Sequence, residues 1–260
     1  MSLAPSRPSD ALSADLDRTR RTRAQVEALI AEPARLGPDF TPIRRLDAAA
    51  PGLAPMLGWK ATGRGAPGSD IADTLTLLEQ AAALGLVERL DWAFRAHTFD
   101  VAVDAGLSTE LHLTPEPETF GSPCPPRLAV SILRGRRALS VCAELHPDAF
   151  VDERRLLTAA EEMQSWGWQL VYADLLGTAA HAAAERLAPA LRPAYVQVDL
   201  SVPGRATDPR IAPWTALAGE VGAQVMALGL DNSPTLDTAV ALGATYGRGA
   251  IVGRPVSTPR

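Results

Sequence analysis

Short apolar runs alternate along the 260-residue chain with longer stretches in which apolar residues recur every three or four positions. The runs are too short for helices and predict strands at Ile43 to Leu46, Leu53 to Lys60, Leu111 to Thr114, Ala138 to Leu145, Leu170 to Asp174, Ala194 to Asp199 and Ala223 to Leu228. Helical spacing runs through Ile71, Leu75, Leu78 and Ala82, and a second helix spans about Val87 to Ala105, its Trp92, Phe94 and Phe99 reading as core aromatics. Further helices are predicted at Leu128 to Leu133, Val151 to Trp166, Ala179 to Ala190 and Asp208 to Val221. The one at Val151 carries Leu156, Ala160 and Met163 on one face and Arg154 and Glu161 on the other. Ser233-Pro234 reads as an N-cap followed by proline at the first helical position, with the helix ending at Gly243. An N-terminal helix capped by Asp10 or Ser13 runs to about Glu32, where Pro33 and Gly37-Pro38 stop it. Five prolines between Pro115 and Pro126 forbid a regular helix across most of that segment. Strands alternating with helices over this length predict a parallel α/β barrel.

Composition narrows the class. With 47% hydrophobic and 21% charged residues the chain can bury a sizeable core, and one barrel fits better than two small domains. Residues 1–12 are expected to form a disordered tail, and residues 13–256 a single domain that includes the N-terminal helix. A net charge of -5 argues against general nucleic-acid binding, and Arg18, Arg20, Arg21 and Arg23 then read as a solvated helix face or a surface for an acidic partner. With no apolar run of about 18 residues and no apolar signal core, neither a membrane span nor secretion is expected, and the expected location is cytoplasmic. Cys124 and Cys142 make no C-x-x-C and read as separate reduced thiols. No G-x-S-x-G accompanies the four histidines, and His97 and His181 fall in helical stretches as surface or half-buried residues.

The stretch with the most chemical content is Leu170 to Thr178, where a strand ends in Asp174 and Gly177-Thr178 leads into a helix. At a barrel strand's C-terminal end a carboxylate opens onto the pocket; the plain alternative is a loop Asp that caps the next helix. This stretch resembles the Asp-Asp-Phe-Gly-Thr-Gly loop of EAL domains, the bacterial hydrolases of cyclic di-GMP, with Leu175 in the place of the second Asp. Other segments fall in the family's order. Thr41-Pro42-Ile43 is similar to Gln-Pro-Ile, Ala54-Pro55-Met56-Leu57-Gly58-Trp59 to Glu-Ala-Leu-Leu-Arg-Trp, and Leu111-His112-Leu113-Thr114 to Val-Asn-Leu-Ser. Ala143-Glu144-Leu145-His146-Pro147 is similar to Leu-Glu-Ile-Thr-Glu, Val196-Gln197-Val198-Asp199 to Val-Lys-Ile-Asp, Ala227-Leu228-Gly229-Leu230-Asp231 to Ala-Glu-Gly-Val-Glu, and Arg248-Gly249 to Gln-Gly. The resemblance implies the modified TIM-like (β/α)8 barrel of the EAL type, with the Pro115 to Pro126 segment replacing a part of the wall that is helical in the family.

Hydrolysis of a phosphodiester by two metals needs oxygen ligands for both cations and a group that positions water. The family positions for these ligands read Ala54, His112, Glu144, Asp174 and Leu175, with Leu228 and Pro147 replacing two further glutamates and Gln197 the water-orienting lysine. Gly58 stands where the family has an arginine near the phosphate, and Arg248 where it has a nucleotide-binding glutamine. The resemblance therefore implies a catalytically inactive EAL-like domain serving as a regulatory or protein-interaction module, as a homodimer or with a partner the sequence does not name. A cyclic di-GMP receptor, or residual cyclic di-GMP phosphodiesterase activity, stays open as an alternative. Cyclic di-GMP is expected to bind weakly or not at all, with Arg248 as the contact if it does. No cofactor is expected beyond a single divalent metal, for which the family positions suggest His112, Glu144 and Asp174, with Asp199 as a further ligand or a support for His112. An imidazole among carboxylates would suit zinc, manganese or iron better than magnesium. The alternative is that these groups hydrogen-bond one another and Arg248 without a metal.

Overall fold

Eight strands close into a barrel in which each neighbours the next in the chain. They are β1 (Gly37–Arg45), β2 (Met56–Arg64), β3 (Glu110–Leu113), β4 (Ser140–Leu145), β5 (Gln169–Tyr172), β6 (Tyr195–Asp199), β7 (Gln224–Leu228) and β8 (Tyr246–Gly247). β1 runs antiparallel to both β2 and β8, and every other pair is parallel. The helices are α1 (Pro8–Ala31), α2 (Thr74–Ala83), α3 (Val87–Asp104), α4 (Ala129–Ala138), α5 (Glu153–Ser165), α6 (His181–Leu191), α7 (Ile211–Val221) and α8 (Ser233–Ala241). This structure, a computed structural model, describes residues 8–46 and 51–259. Among them no helix is long and apolar enough to cross a membrane.

Side chains alternate across each strand and so sort into two cores. One set packs between the strands and the surrounding helices and includes Phe40, Phe99, Leu111, Leu145, Leu170, Tyr172, Val196 and Trp214. A second, separate cluster takes Ile43, Cys142, Val171, Tyr195, Met226 and Leu228 from five different strands. Residues drawn from around a closed barrel and kept apart from the outer core can only meet inside it. The outer layer is tight where α3 meets α4: a Cβ on Gly135 would lie 2.2 Å from the Phe99 ring.

Several boundaries differ from the sequence expectation, each for a local reason. α1 begins at Pro8, so residues 8–12 are helical instead of forming part of a tail, and the rest of the expected tail, 1–7, lies outside the described residues. Pro51–Leu53 forms a 3-10 turn, and β2 starts only at Met56. α2 starts at Thr74 because the Asp73 side chain accepts the Thr76 N–H at 2.9 Å. The cap of α8 is Asn232, not Ser233: its side chain accepts the Thr235 N–H at 3.0 Å while the Thr235 hydroxyl accepts the Asn232 N–H at 3.3 Å. β8, two residues long, is too short to show any periodicity.

The proline-rich wall is held by side chains in place of a helix's own hydrogen bonds. Between β3 and α4 there are only 3-10 turns at Pro117–Thr119 and Pro126–Leu128. Asp91 of α3, buried and paired with the buried Arg95, accepts the Glu116 N–H at 3.3 Å and lies 3.0 Å from the Thr119 hydroxyl. Trp92 Nε1 donates to Ser122 at 3.0 Å, and Arg155 of α5 donates to the carbonyls of Phe120 at 2.7 Å and Glu118 at 3.0 Å. Carbonyls and amides that proline leaves unpaired are satisfied in this way.

Removing Asp91 leaves the Arg95 charge buried without its partner, and breaking such a pair costs about 3–5 kcal/mol. Asp91→Ala is expected to lose about that much in urea unfolding, with Thr119→Ala losing about 1 kcal/mol. A loss below about 1 kcal/mol for Asp91→Ala would show that the wall does not depend on this pair.

Candidate functional site

β2, β3 and β4 lie side by side, and their inward positions bring the charged groups of the barrel together. Lys60 is opposite His112 in the β2–β3 register, and His112 is opposite Cys142 in the β3–β4 register. Glu144, two residues beyond Cys142, therefore faces inward one step nearer the C-terminal ends of the strands. Lys60 and Glu144 are 6% and 1% exposed, and Lys60 Nζ lies 2.7 Å from Glu144 Oε2 and 2.5 Å from Thr114 Oγ1. The other oxygen, Glu144 Oε1, accepts from Gln197 Nε2 of β6 at 2.9 Å and lies 3.5 Å from His112 Nδ1.

Electrostatics follow from this arrangement. Burial alone would raise the Glu144 carboxyl, but Lys60, His112 and Arg248 outweigh it and hold the group well below the usual carboxylate range. Burial lowers Lys60, offset in part by Glu144. Burial also disfavours a charged His112 ring, yet Cys142, Glu110 and Glu144 raise it well above the ordinary imidazole value. Arg248 follows β8, adds positive charge to this group, and has a buried Nε without a hydrogen-bond partner.

Asp174 sits beside this cluster in a separate arrangement. It adopts φ 44, a left-handed conformation that Asp tolerates better than most residues. Its Oδ1 accepts the Asp199 N–H at 3.1 Å and its Oδ2 pairs with Arg205 Nη2 at 3.0 Å. Arg205 also donates to the Leu176 carbonyl at 2.8 Å, so it joins the loop after β5 to the loop after β6. Asp174 does not cap α6, whose N-terminus receives no side-chain cap. The Asp199 carboxylate turns to Ser201, accepting its N–H at 2.9 Å and its hydroxyl at 2.6 Å.

Of the four residues expected around one metal, the structure thus brings His112 close to Glu144, and Asp174 close to Asp199, as two pairs. Leu175 and Leu228 are buried, and Leu228 belongs to the inner apolar cluster. His97 and His181 are half-buried on helices, as expected, with His181 4.9 Å from the Trp214 ring. Arg205 and Glu110 were not singled out by the sequence. Arg205 lies in a loop without periodicity, but Glu110 had a signal: it precedes His112 by two residues and so shares its face of the strand. An open cleft of about 620 Å³ lies beyond Asp174, lined by Gly177, Val202, Arg205, Asp208 and Arg210.

No protein-family model and no curated protein matches the sequence. Solved structures do match. The EAL domain of FimX from Xanthomonas citri, in complex with c-di-GMP, superposes with a TM-score of 0.77 at 15% identity, covering 95% of this chain and 99% of that one. The FimX EAL domain from Pseudomonas aeruginosa, bound to c-di-GMP, gives 0.72 at 15% identity over 91% and 97% of the two chains. The PaMucR phosphodiesterase in its c-di-GMP complex gives 0.70 at 18% identity over 91% and 97%. The closed barrel described above has the EAL-type fold.

Glu116, near enough to Lys60 to feel its charge, is pushed up to about 7 by burial and by Asp91 and Glu118. It keeps its proton in the fold at pH values where the unfolded chain has released it, so stability falls as pH rises from the ordinary 4.5 to about 7 and levels off above. Glu116→Gln is expected to lack this decline and to be more stable than the native chain above neutrality, by up to about 3 kcal/mol. Parallel stability profiles for the two proteins across that window would show that Glu116 is not protonated there.

Proposed function

We propose that this protein is a catalytically inactive EAL-like domain that works as a regulatory or protein-interaction module. The observation that carries the reading is the saturation of Glu144: Lys60 occupies one oxygen, and Gln197, with His112 close by, occupies the other. In the family resembled, this position helps to hold a divalent cation. Here an ammonium supplies the positive charge, and it has no coordination position at which water could be bound and its pKa lowered as on a metal.

The residues at the mouth do not fit a pair of divalent cations. Ala54, Leu175 and Leu228 offer no ligand oxygen from their side chains, Asp174 is paired with Arg205, and Glu144 is paired with Lys60. A cation at either remaining carboxylate would have to displace a buried base. Gln197 hydrogen-bonds Glu144 and carries no charge with which to assist an incoming hydroxide.

Ligand recognition is weakened at the same place. Gly58 stands against β3 so closely that a Cβ would meet the Glu110 carbonyl oxygen at 2.3 Å, which leaves no room for the arginine the family carries there. Among the described residues at the mouth, Arg248 has a buried Nε without a hydrogen-bond partner and can meet a phosphate. The neighbouring structures hold c-di-GMP, and for this chain the reading is weak binding or none, with interaction through protein surfaces such as the cleft beside Arg205 and Arg210, in a homodimer or with another protein.

Purified protein is expected to give no linear dinucleotide from cyclic di-GMP in magnesium or manganese. Product formation at a rate that falls in Asp174→Asn would overturn the reading.

Calorimetric titration with cyclic di-GMP, with and without magnesium, is expected to give weak heats or none, and any residual binding should be lost in Arg248→Ala. A micromolar or tighter affinity that survives Arg248→Ala would instead make the domain a nucleotide receptor.

A further inference from the structure

Below the Lys60–Glu144 pair, nearer the N-terminal ends of the strands, three unlike donor atoms converge. Glu110 Oε2 lies 3.1 Å from His112 Nε2 and 3.4 Å from Cys142 Sγ, and all three ligand atoms fall within 4.8 Å of one another. Among the described residues no other group of three or more His, Cys, Asp or Glu side chains converges in this way. We propose that Glu110, His112 and Cys142 form a binding site for one zinc-like transition-metal cation inside the lower barrel.

The spacing is the first argument. Zinc bonds of about 2.0 Å to oxygen and nitrogen and about 2.3 Å to sulfur put tetrahedral ligands about 3.3 Å apart for nitrogen and oxygen, and about 3.5 Å apart for sulfur and oxygen. The observed 3.1 and 3.4 Å are within a few tenths of an ångström of those edges. The third edge, His112 Nε2 to Cys142 Sγ, is at most 4.8 Å, and it closes to about 3.5 Å when the two side chains turn toward one ion.

The surroundings of the histidine are the second. A metal-bound imidazole usually points its other N–H at a carboxylate that fixes its tautomer and orientation. His112 Nδ1 is buried, has no hydrogen-bond partner of good geometry, and lies 3.5 Å from Glu144 Oε1. Glu144 is itself fixed by Lys60 and Gln197. Tyr195 donates to Glu110 Oε1 at 3.1 Å and so holds the carboxylate with Oε2 toward the other two ligands.

Charge and chemistry select the ion. A thiolate and a carboxylate together neutralise a divalent cation, so the loaded site adds no net charge to the barrel interior. Sulfur and imidazole favour zinc, cobalt or iron over magnesium and calcium. Cys142 and His112 are fully buried, whereas the Glu110 side chain is 17% exposed, which leaves the site reachable from the Glu110 side. The site goes beyond the reading of the mouth: it shares only His112 with the metal position expected there, and it uses neither Asp174 nor Asp199.

The test is a titration of untagged, chelator-stripped protein with cobalt and then zinc, followed by absorption spectroscopy and thermal unfolding. One equivalent of cobalt is expected, with a thiolate-to-cobalt charge-transfer band that zinc displaces. Cys142→Ser should abolish the band. Glu110→Gln should keep it but bind cobalt more weakly than the native chain, since a neutral amide replaces a carboxylate ligand. Cys124→Ser and Asp174→Asn should take up cobalt with the native stoichiometry and band, and zinc should raise the unfolding midpoint of the native chain but not of Cys142→Ser. The proposal is overturned by the absence of stoichiometric uptake, by a band that survives Cys142→Ser, or by uptake that depends on Asp174 and not on Cys142. None of these readouts involves cyclic di-GMP, so the failure of this proposal and of the functional reading are separable.

Discussion

A carboxylate enclosed by a barrel must be compensated, and the compensation of Glu144 by Lys60 organises the polar interior of this protein. Taking each ion out of water costs several kcal/mol, recovered only when the partners meet in good geometry and their remaining hydrogen-bonding capacity is used. Thr114 and Gln197 use it here, one from the end of β3 and one from β6. The pair also fixes registration. Slipping β2 by one residue against β3 would turn Lys60 outward and Trp59 inward, leaving Glu144 without its cation. Register and charge compensation therefore support each other.

Much of this architecture was legible from periodicity. Runs ending at Thr114, Leu145, Asp174, Asp199 and Leu228 became strands, with β3 stopping at Leu113 and β5 at Tyr172, because burial on both faces of a barrel strand demands a continuous apolar run. Local chemistry was harder to read at element ends. Asn232 took the cap expected of Ser233 because the reciprocal bond with Thr235 satisfies two backbone amides where a lone serine would satisfy one. The two-residue β8 left no pattern at all. It pairs on both sides only because the closure of β1 through β7 leaves it a place.

The candidate site was legible in part. The resemblance pointed to His112, Glu144 and Asp174. What could not be read is which polar group meets which. Asp174 and Glu144 are both carboxylates near strand C-termini, yet a loop arginine holds one and a strand lysine the other. Arg205 reaches Asp174 across 31 residues of sequence, and contacts of that range leave no mark in a local pattern. Cys142 read as an isolated thiol for the same reason, since its neighbours Glu110 and His112 belong to a different strand.

The close approach at Gly58 has a consequence for how such a chain can change. With the Glu110 carbonyl 2.3 Å from where a Cβ would sit, no side chain fits at that position until β2 and β3 move apart. Those strands are bound by the same ladder that sets Lys60 opposite His112. A side chain at position 58 would therefore demand a change at the backbone contact and in the strand spacing around Lys60 at the same time. Either change taken alone would lower stability. Position 58 is thus closed to variation by single substitutions, and this part of the wall can diverge only where the two strands shift together.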